Sequence, residues 1–210
     1  MEVGPGEYRF GYAVIKYEDG VLSLSDLYIK REFYIGEGVK ISLVPVKPVH
    51  VPKELTWSLY IQIEPPLMAS EPSEFWVSAP YEIMIRVGET SLVYLSPFKV
   101  KYILYGDVVE GKICRYHHSS LITTPPSPGW DSAYFKIRVE SVEMPIRYIY
   151  IPLDKVEIRE EDGSIIYTDL MINVGDGEAV VKPLTDRRMA SIDNLAKIIE
   201  DQIGGWRFRL

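Results

Sequence analysis

The residues best equipped for chemistry lie together in one short stretch, Lys112-Ile113-Cys114-Arg115-Tyr116-His117-His118-Ser119-Ser120. It holds the only cysteine of the chain and two of its three histidines. Thiolate and imidazole are preferred zinc ligands, so Cys114, His117 and His118 raise the question of a metal site. Their spacing argues against one. The preceding residues, 98–111, alternate apolar and polar side chains and then turn at glycines, which suits a strand. On a strand, Cys114 and His118 share a face but sit about 13 Å apart, and His117 and His118 point to opposite faces. Zinc bonds of about 2.0–2.3 Å do not span that gap. A helix would bring Cys114 and His118 together, but the surroundings read as β. No metal and no cofactor is expected, unless acidic residues from elsewhere complete a site.

Nucleophilic chemistry finds equally little support. Ser119, Ser120, His118 and Asp131 supply the residue types of a triad, yet a triad is defined by geometry, and no G-x-S-x-G elbow occurs. Arg115 could favour the Cys114 thiolate, but a buried cysteine acting as a small hydrophobe is the plainer reading. No P-loop or G-x-G-x-x-G is present. No catalytic residue can be assigned, and the reading leans away from an enzyme. What survives is charge. Lys99, Lys101, Lys112 and Arg115 fall on what reads as one hairpin, among Tyr102, Tyr105 and Tyr116. On a chain of net charge −7 this is a local positive patch for an anionic ligand or partner, or else simple balance against acidic hairpins nearby. The candidate ligand-binding residues are Tyr105, Arg115, Tyr116, His117 and His118.

The elements that must position them are strands. Trp57, Leu59, Ile61 and Ile63 alternate with polar neighbours, as do Phe75, Val77 and Ala79, then Tyr81, Ile83, Ile85 and Val87, then Phe135, Ile137 and Val139. Asp19-Gly20, Asp162-Gly163 and Asp176-Gly177 break such runs where a primed hairpin turn needs positive φ. Two Pro-rich stretches, 45–54 and 120–132, read as a crossing or sheet edge and as a loop. Ile192, Leu195, Ala196, Ile199 and Ile203 recur at helical spacing, with Ser191 as N-cap and Gly204 as C-cap. The expected fold is all-β: an antiparallel β-sandwich over residues 1–190, with two sub-sheets meeting near 45–54, and one C-terminal α-helix with its tail over 191–210.

Composition narrows the setting. An acidic chain is a poor partner for nucleic acid. The N-terminus has no basic-then-apolar leader and no apolar run nears the ~20 residues that cross a bilayer, so a cytoplasmic protein without a membrane span is expected. Asn173, Asn194, Gln62 and Gln202 are the only amide side chains, a thermophile's economy.

Three segments carry a resemblance: 45–65, 73–88 and 101–119, most specifically Leu104-Tyr105-Gly106 followed by Gly111, Ile113, Cys114, Arg115 and Tyr116. Together, from about Pro45 to His118, they resemble the archaeal domain-of-unknown-function family 432. The resemblance implies an archaeal source and brings no activity or catalytic residue with it. The expected function is a non-catalytic binding or protein-interaction module, with a homodimer or a protein partner held through the C-terminal helix or a sheet edge. The alternatives are an enzyme or metal protein around Cys114, Arg115, His117 and His118, and a glycan-binding β-sandwich using Trp76 or Trp130.

Overall fold

The computed structural model describes residues 1–36, 38–52, 54–106, 111–140, 142–175, 178–183 and 206–209. The strands are β1 (Glu2–Val3), β2 (Gly6–Phe10), β3 (Ala13–Glu18), β4 (Val21–Ser25), β5 (Lys30–Tyr34), β6 (Ile41–Val46), β7 (Ser58–Ala69), β8 (Ser73–Ala79), β9 (Glu82–Val87), β10 (Thr90–Leu95), β11 (Lys101–Tyr105), β12 (Lys112–Ile122), β13 (Gly129–Val139), β14 (Val142–Pro152), β15 (Ile158–Glu161), β16 (Ser164–Tyr167), β17 (Leu170–Gly175), β18 (Glu178–Pro183) and β19 (Trp206–Arg209). One 3-10 turn, Leu153–Lys155, interrupts them. The protein is all-β, as the period-two patterning predicts.

Strands β2 to β5 form an antiparallel meander. A second sheet runs β1-β6-β9-β10. The third runs β14-β7-β12-β8-β13-β17-β18-β19, with β11 added to β12 and the β15–β16 hairpin beside β13. The turn chemistry reads true. Asp19 and Gly20 have φ of 49° and 75°, and Asp162 and Gly163 of 50° and 77°, two positive values in each hairpin as a type I′ turn requires. Asp176-Gly177 lies outside the described residues.

Three pairings are parallel: β12 with β7, β13 with β16, and β13 with β17. Alternation alone does not announce them, because it fixes faces and not partners. A parallel pair needs a long crossover, and here strands supply it: the chain passes through β8 to β11 between β7 and β12. Of the 191–210 segment expected as helix and tail, only 206–209 are described. They extend the sheet as β19, antiparallel to β18, and the Trp-Arg-Phe-Arg alternation suits that. The helical stripe itself lies outside the described residues.

Leu59, Ile61 and Ile63 of β7, Val77 and Ala79 of β8, Ile83 and Ile85 of β9, and Phe135, Ile137 and Val139 of β13 all enter one buried cluster that draws on all three sheets. Trp57 departs from its run and is largely exposed, because β7 begins only at Ser58. Among the described residues, no helix is long and apolar enough to cross a membrane.

Candidate functional site

The stretch 112–120 is a strand, and its two neighbours set what each side chain meets. On one side β11 pairs antiparallel, placing Lys101 opposite Tyr116, Tyr102 opposite Arg115, Ile103 opposite Cys114, and Leu104 opposite Ile113. On the other, β7 pairs in parallel, placing Leu59 beside Arg115, Tyr60 beside Tyr116, and Ile61 beside His117. The hairpin before it depends on Gly106, whose φ is 98° and where a Cβ would press within 3.2 Å of Gly111 Cα.

One face of this sheet is built of tyrosines. Tyr105 stacks on Tyr150, with centroids 4.8 Å apart, and Tyr60 stacks on Tyr148 at 5.2 Å. Tyr60 and Tyr105 meet at 5.4 Å and join the two stacks. Burial, with neighbouring tyrosines adding to it, pushes the Tyr60 phenol up to about 12. Tyr116 donates its hydroxyl to Gln62 Oε1, and His118 Nε2 sits 3.0 Å from Glu64 at the exposed end of the face.

The opposite face carries Arg115, His117 and Ser119. Ser119 Oγ donates to the Ser120 carbonyl at 2.9 Å, so it accepts from the Ser78 hydroxyl at 3.1 Å. Ser78 Oγ, having donated, accepts from His117 Nε2 at 3.1 Å. The chain of donors therefore makes Nε2 the ring's donor. Burial, followed by the nearby His118, lowers its pKa to about 4. Ser119 Oγ also accepts the Ser78 backbone N–H at 2.7 Å, where the β12–β8 ladder has ended, so this hydroxyl stands in for a ladder carbonyl.

The structure thus separates the residues singled out from sequence. His117 points inward and His118 outward, as strand spacing requires. Cys114 is fully buried, and burial pushes its thiol up to about 11. Among the described residues no group of three His, Cys, Asp or Glu is placed to hold a metal ion. Trp130 is buried against Phe10 and Tyr81, while the half-buried Trp76 has the Lys136 ammonium 5.8 Å from its ring centroid.

Arg115 is the most unusual member. It is only 2% exposed, the largest fully buried side chain described. Nη1 donates to the Val51 carbonyl at 2.6 Å, and Glu82 Oε1 lies 3.7 Å away, within ion-pair range but beyond a hydrogen bond. Tyr102 covers the guanidinium, its ring centroid 5.7 Å from Cζ. Nε and Nη2 are buried and find no hydrogen-bond partner among the described residues.

Glu82 and His50 were missed by spacing arguments. Alternation with Tyr81 and Ile83 assigns Glu82 to the wetter face, yet it is fully buried. Its carboxylate accepts the backbone N–H groups of His50 and Val51, at 3.0 and 2.9 Å, and His50 Nδ1 at 3.0 Å. These amides lie in the Pro-rich stretch beyond the end of β6, outside any ladder, so Glu82 is their acceptor. Burial raises its pKa; the two amides, then Arg115 and the His50 ring, pull it back. The His50 ring stacks on Tyr94 at 3.8 Å. One signal was available: Ile83, Met84 and Ile85 form an unbroken apolar run, the mark of a strand covered on both faces.

Beside Arg115 lies a cleft walled by Pro48, Pro80 and Phe98, with His117 deeper in and Lys99 and Lys101 on exposed positions. A larger hollow of ≈ 360 Å³ under the 123–128 loop offers Asp131 and Tyr134 and, among the described residues, no cationic side chain.

A family model described as "Protein of unknown function (DUF432)" matches residues 9–197. The chain belongs to this family. The DUF432 match reaches well beyond the Pro45–His118 stretch that carries the sequence resemblance. No curated protein and no solved structure matches the chain.

Proposed function

We propose that this DUF432 protein is a non-catalytic protein-interaction module whose binding element is the edge strand β11. The observation that carries the reading is the state of that edge. Among the described residues β11 pairs only with β12, and the consecutive Tyr102, Ile103 and Leu104, alternating between its two faces, are each more than a third exposed. Leu104 lies opposite Ile113, itself 45% exposed. Thr56 Oγ1 donates to the Ile113 carbonyl, which brings the exposed Leu55 and Trp57 alongside. Natural edges are usually blunted with charge, proline or a covering segment, and a row of apolar side chains invites strand addition.

The occupant is an extended, acidic and apolar segment of another protein. Lys99 and Lys101 flank the edge and Lys112 follows on β12, all exposed and with no ion-pair partner among the described residues. A second copy of the chain fits less well, because a five-residue strand buries less than the ~1,000 Å² a stable dimer needs. The chemistry of the neighbouring strand supports a non-catalytic role: His117 is committed to its hydroxyl chain, His118 to Glu64, and Cys114 is held as a thiol.

A synthetic peptide alternating glutamate with valine tests the reading, with lysine replacing glutamate in a control peptide. The glutamate peptide should bind the full chain, bind more weakly as salt rises, and lose affinity at least ten-fold in Leu104→Lys. Equal binding of both peptides, or binding indifferent to Leu104→Lys, would overturn it. A dimer in sedimentation velocity that Leu104→Lys dissociates would place a second copy on the edge and refute the choice of partner.

A further inference from the structure

We infer that the cleft beside Arg115 is a binding site for a single oxyanion group, a phosphoryl or a carboxylate. The site stands on its own geometry and does not require the β11 edge to be occupied.

The argument begins with which atoms of Arg115 are used. A guanidinium has five N–H donors in a rigid planar fork and stays charged throughout the folded range of pH. Here Nη1 is spent on the Val51 carbonyl. The carboxylate that balances the charge, Glu82, is saturated from the other side by His50 and Val51 and stays 3.7 Å away. The two nitrogens left without partners, Nε and Nη2, share one edge of the guanidinium. Their N–H bonds run parallel, which is the side-on geometry that grips both oxygens of a carboxylate or two of a phosphoryl group. Lysine could not present this fork.

Burial makes the observation informative. A buried charged donor without an acceptor costs free energy, and native proteins leave few such groups without a reason. Arg115 lines the cleft. Counted out to its open mouth the cleft encloses ≈ 300 Å³, room for one small polar group with the rest of any larger ligand outside. Its walls, Pro48, Pro80 and Phe98, are apolar and strengthen charge pairing inside, and Lys99 lines the same cleft. Among the described residues no acidic side chain lines it. On a chain of net charge −7, that local sign is the opposite of the whole.

The test is a titration of the full chain followed through the Arg115 Nε–H resonance in nitrogen-correlated NMR. Inorganic phosphate and acetate are added separately, each to about 10 mM, against chloride at matched ionic strength. A saturable shift with a Kd of ~1 mM is expected. Response to phosphate alone identifies a phosphoryl ligand, response to acetate alone a carboxylate, such as that of an acidic segment, and response to both the shared oxyanion chemistry. Lys99→Ala should weaken binding about three-fold without touching the core. Arg115→Met should abolish it; if that variant does not fold, Lys99→Ala carries the test. No saturable shift with either anion, or an affinity unchanged in Lys99→Ala, would overturn the inference.

Discussion

Lowering the pH should unfold this protein partly through one imidazole, and the size of that contribution follows from where His117 sits. Unfolded, it titrates near 6.5; folded, burial holds it at about 4. Below pH 6.5 the unfolded chain takes up a proton that the native state refuses, so stability falls as pH falls. The slope is about 1.4 kcal/mol per pH unit across that window, and the loss reaches ~3 kcal/mol near pH 4. Above pH 6.5 the contribution is fully present. Protonation would also place a cation on the Arg115 side of the sheet and strip Nδ1 of its lone pair. Glu82 works in the opposite sense, because its raised pKa lets the folded state hold a proton first, so wild type alone does not isolate the effect. His117→Gln does. The amide can donate to Ser78 Oγ as Nε2 does, and it does not titrate. At pH 7 the variant should be about 1 kcal/mol less stable, through imperfect packing. By pH 4.5 the order should reverse, with the curves crossing near pH 6. Urea unfolding at half-unit pH intervals measures both curves. Parallel curves from pH 7 to 4.5 would refute the burial and tautomer assigned to His117.

Other substitutions should answer in their own ways. Glu82→Gln removes the charge balancing Arg115 and leaves an amide donor facing the N–H groups of His50 and Val51; it should cost about 3 kcal/mol in urea unfolding. Cys114 should resist alkylation in the native protein at pH 8 and react fully once unfolded, read by intact mass. Gly11→Ala should cost about 2 kcal/mol or more in thermal or urea unfolding. Its φ is +54°, and a Cβ there would strike the Pro97 carbonyl that accepts the Tyr12 N–H.

Much of the architecture was legible because strands advertise faces. The alternations through β7, β8 and β13 named buried residues apart from Trp57 and the partly buried Phe75, and Asp-Gly marked two hairpins whose dihedrals require it. Strand spacing also separated His117 from His118, which the structure places on opposite faces of β12. Partners were not legible. Nothing in a period-two pattern says that β12 lies parallel to β7, or that its last residues pass to β8. The same limit hid the buried polar cluster. Glu82 reads as solvent-facing until the Pro-rich crossing is folded over it, and Arg115 reads as one lysine-like charge among several until Tyr102 and the cleft walls enclose it. Sequence named Arg115 as a candidate; only three dimensions show which edge of it is unused.

The most direct test of β11 as a binding element is backbone hydrogen exchange over residues 101–104, with and without the glutamate–valine peptide. Strand addition should slow exchange of the outward-facing amides of this segment and leave the β2–β5 meander unchanged. Exchange at 101–104 that stays the same while the peptide is bound would contradict the account.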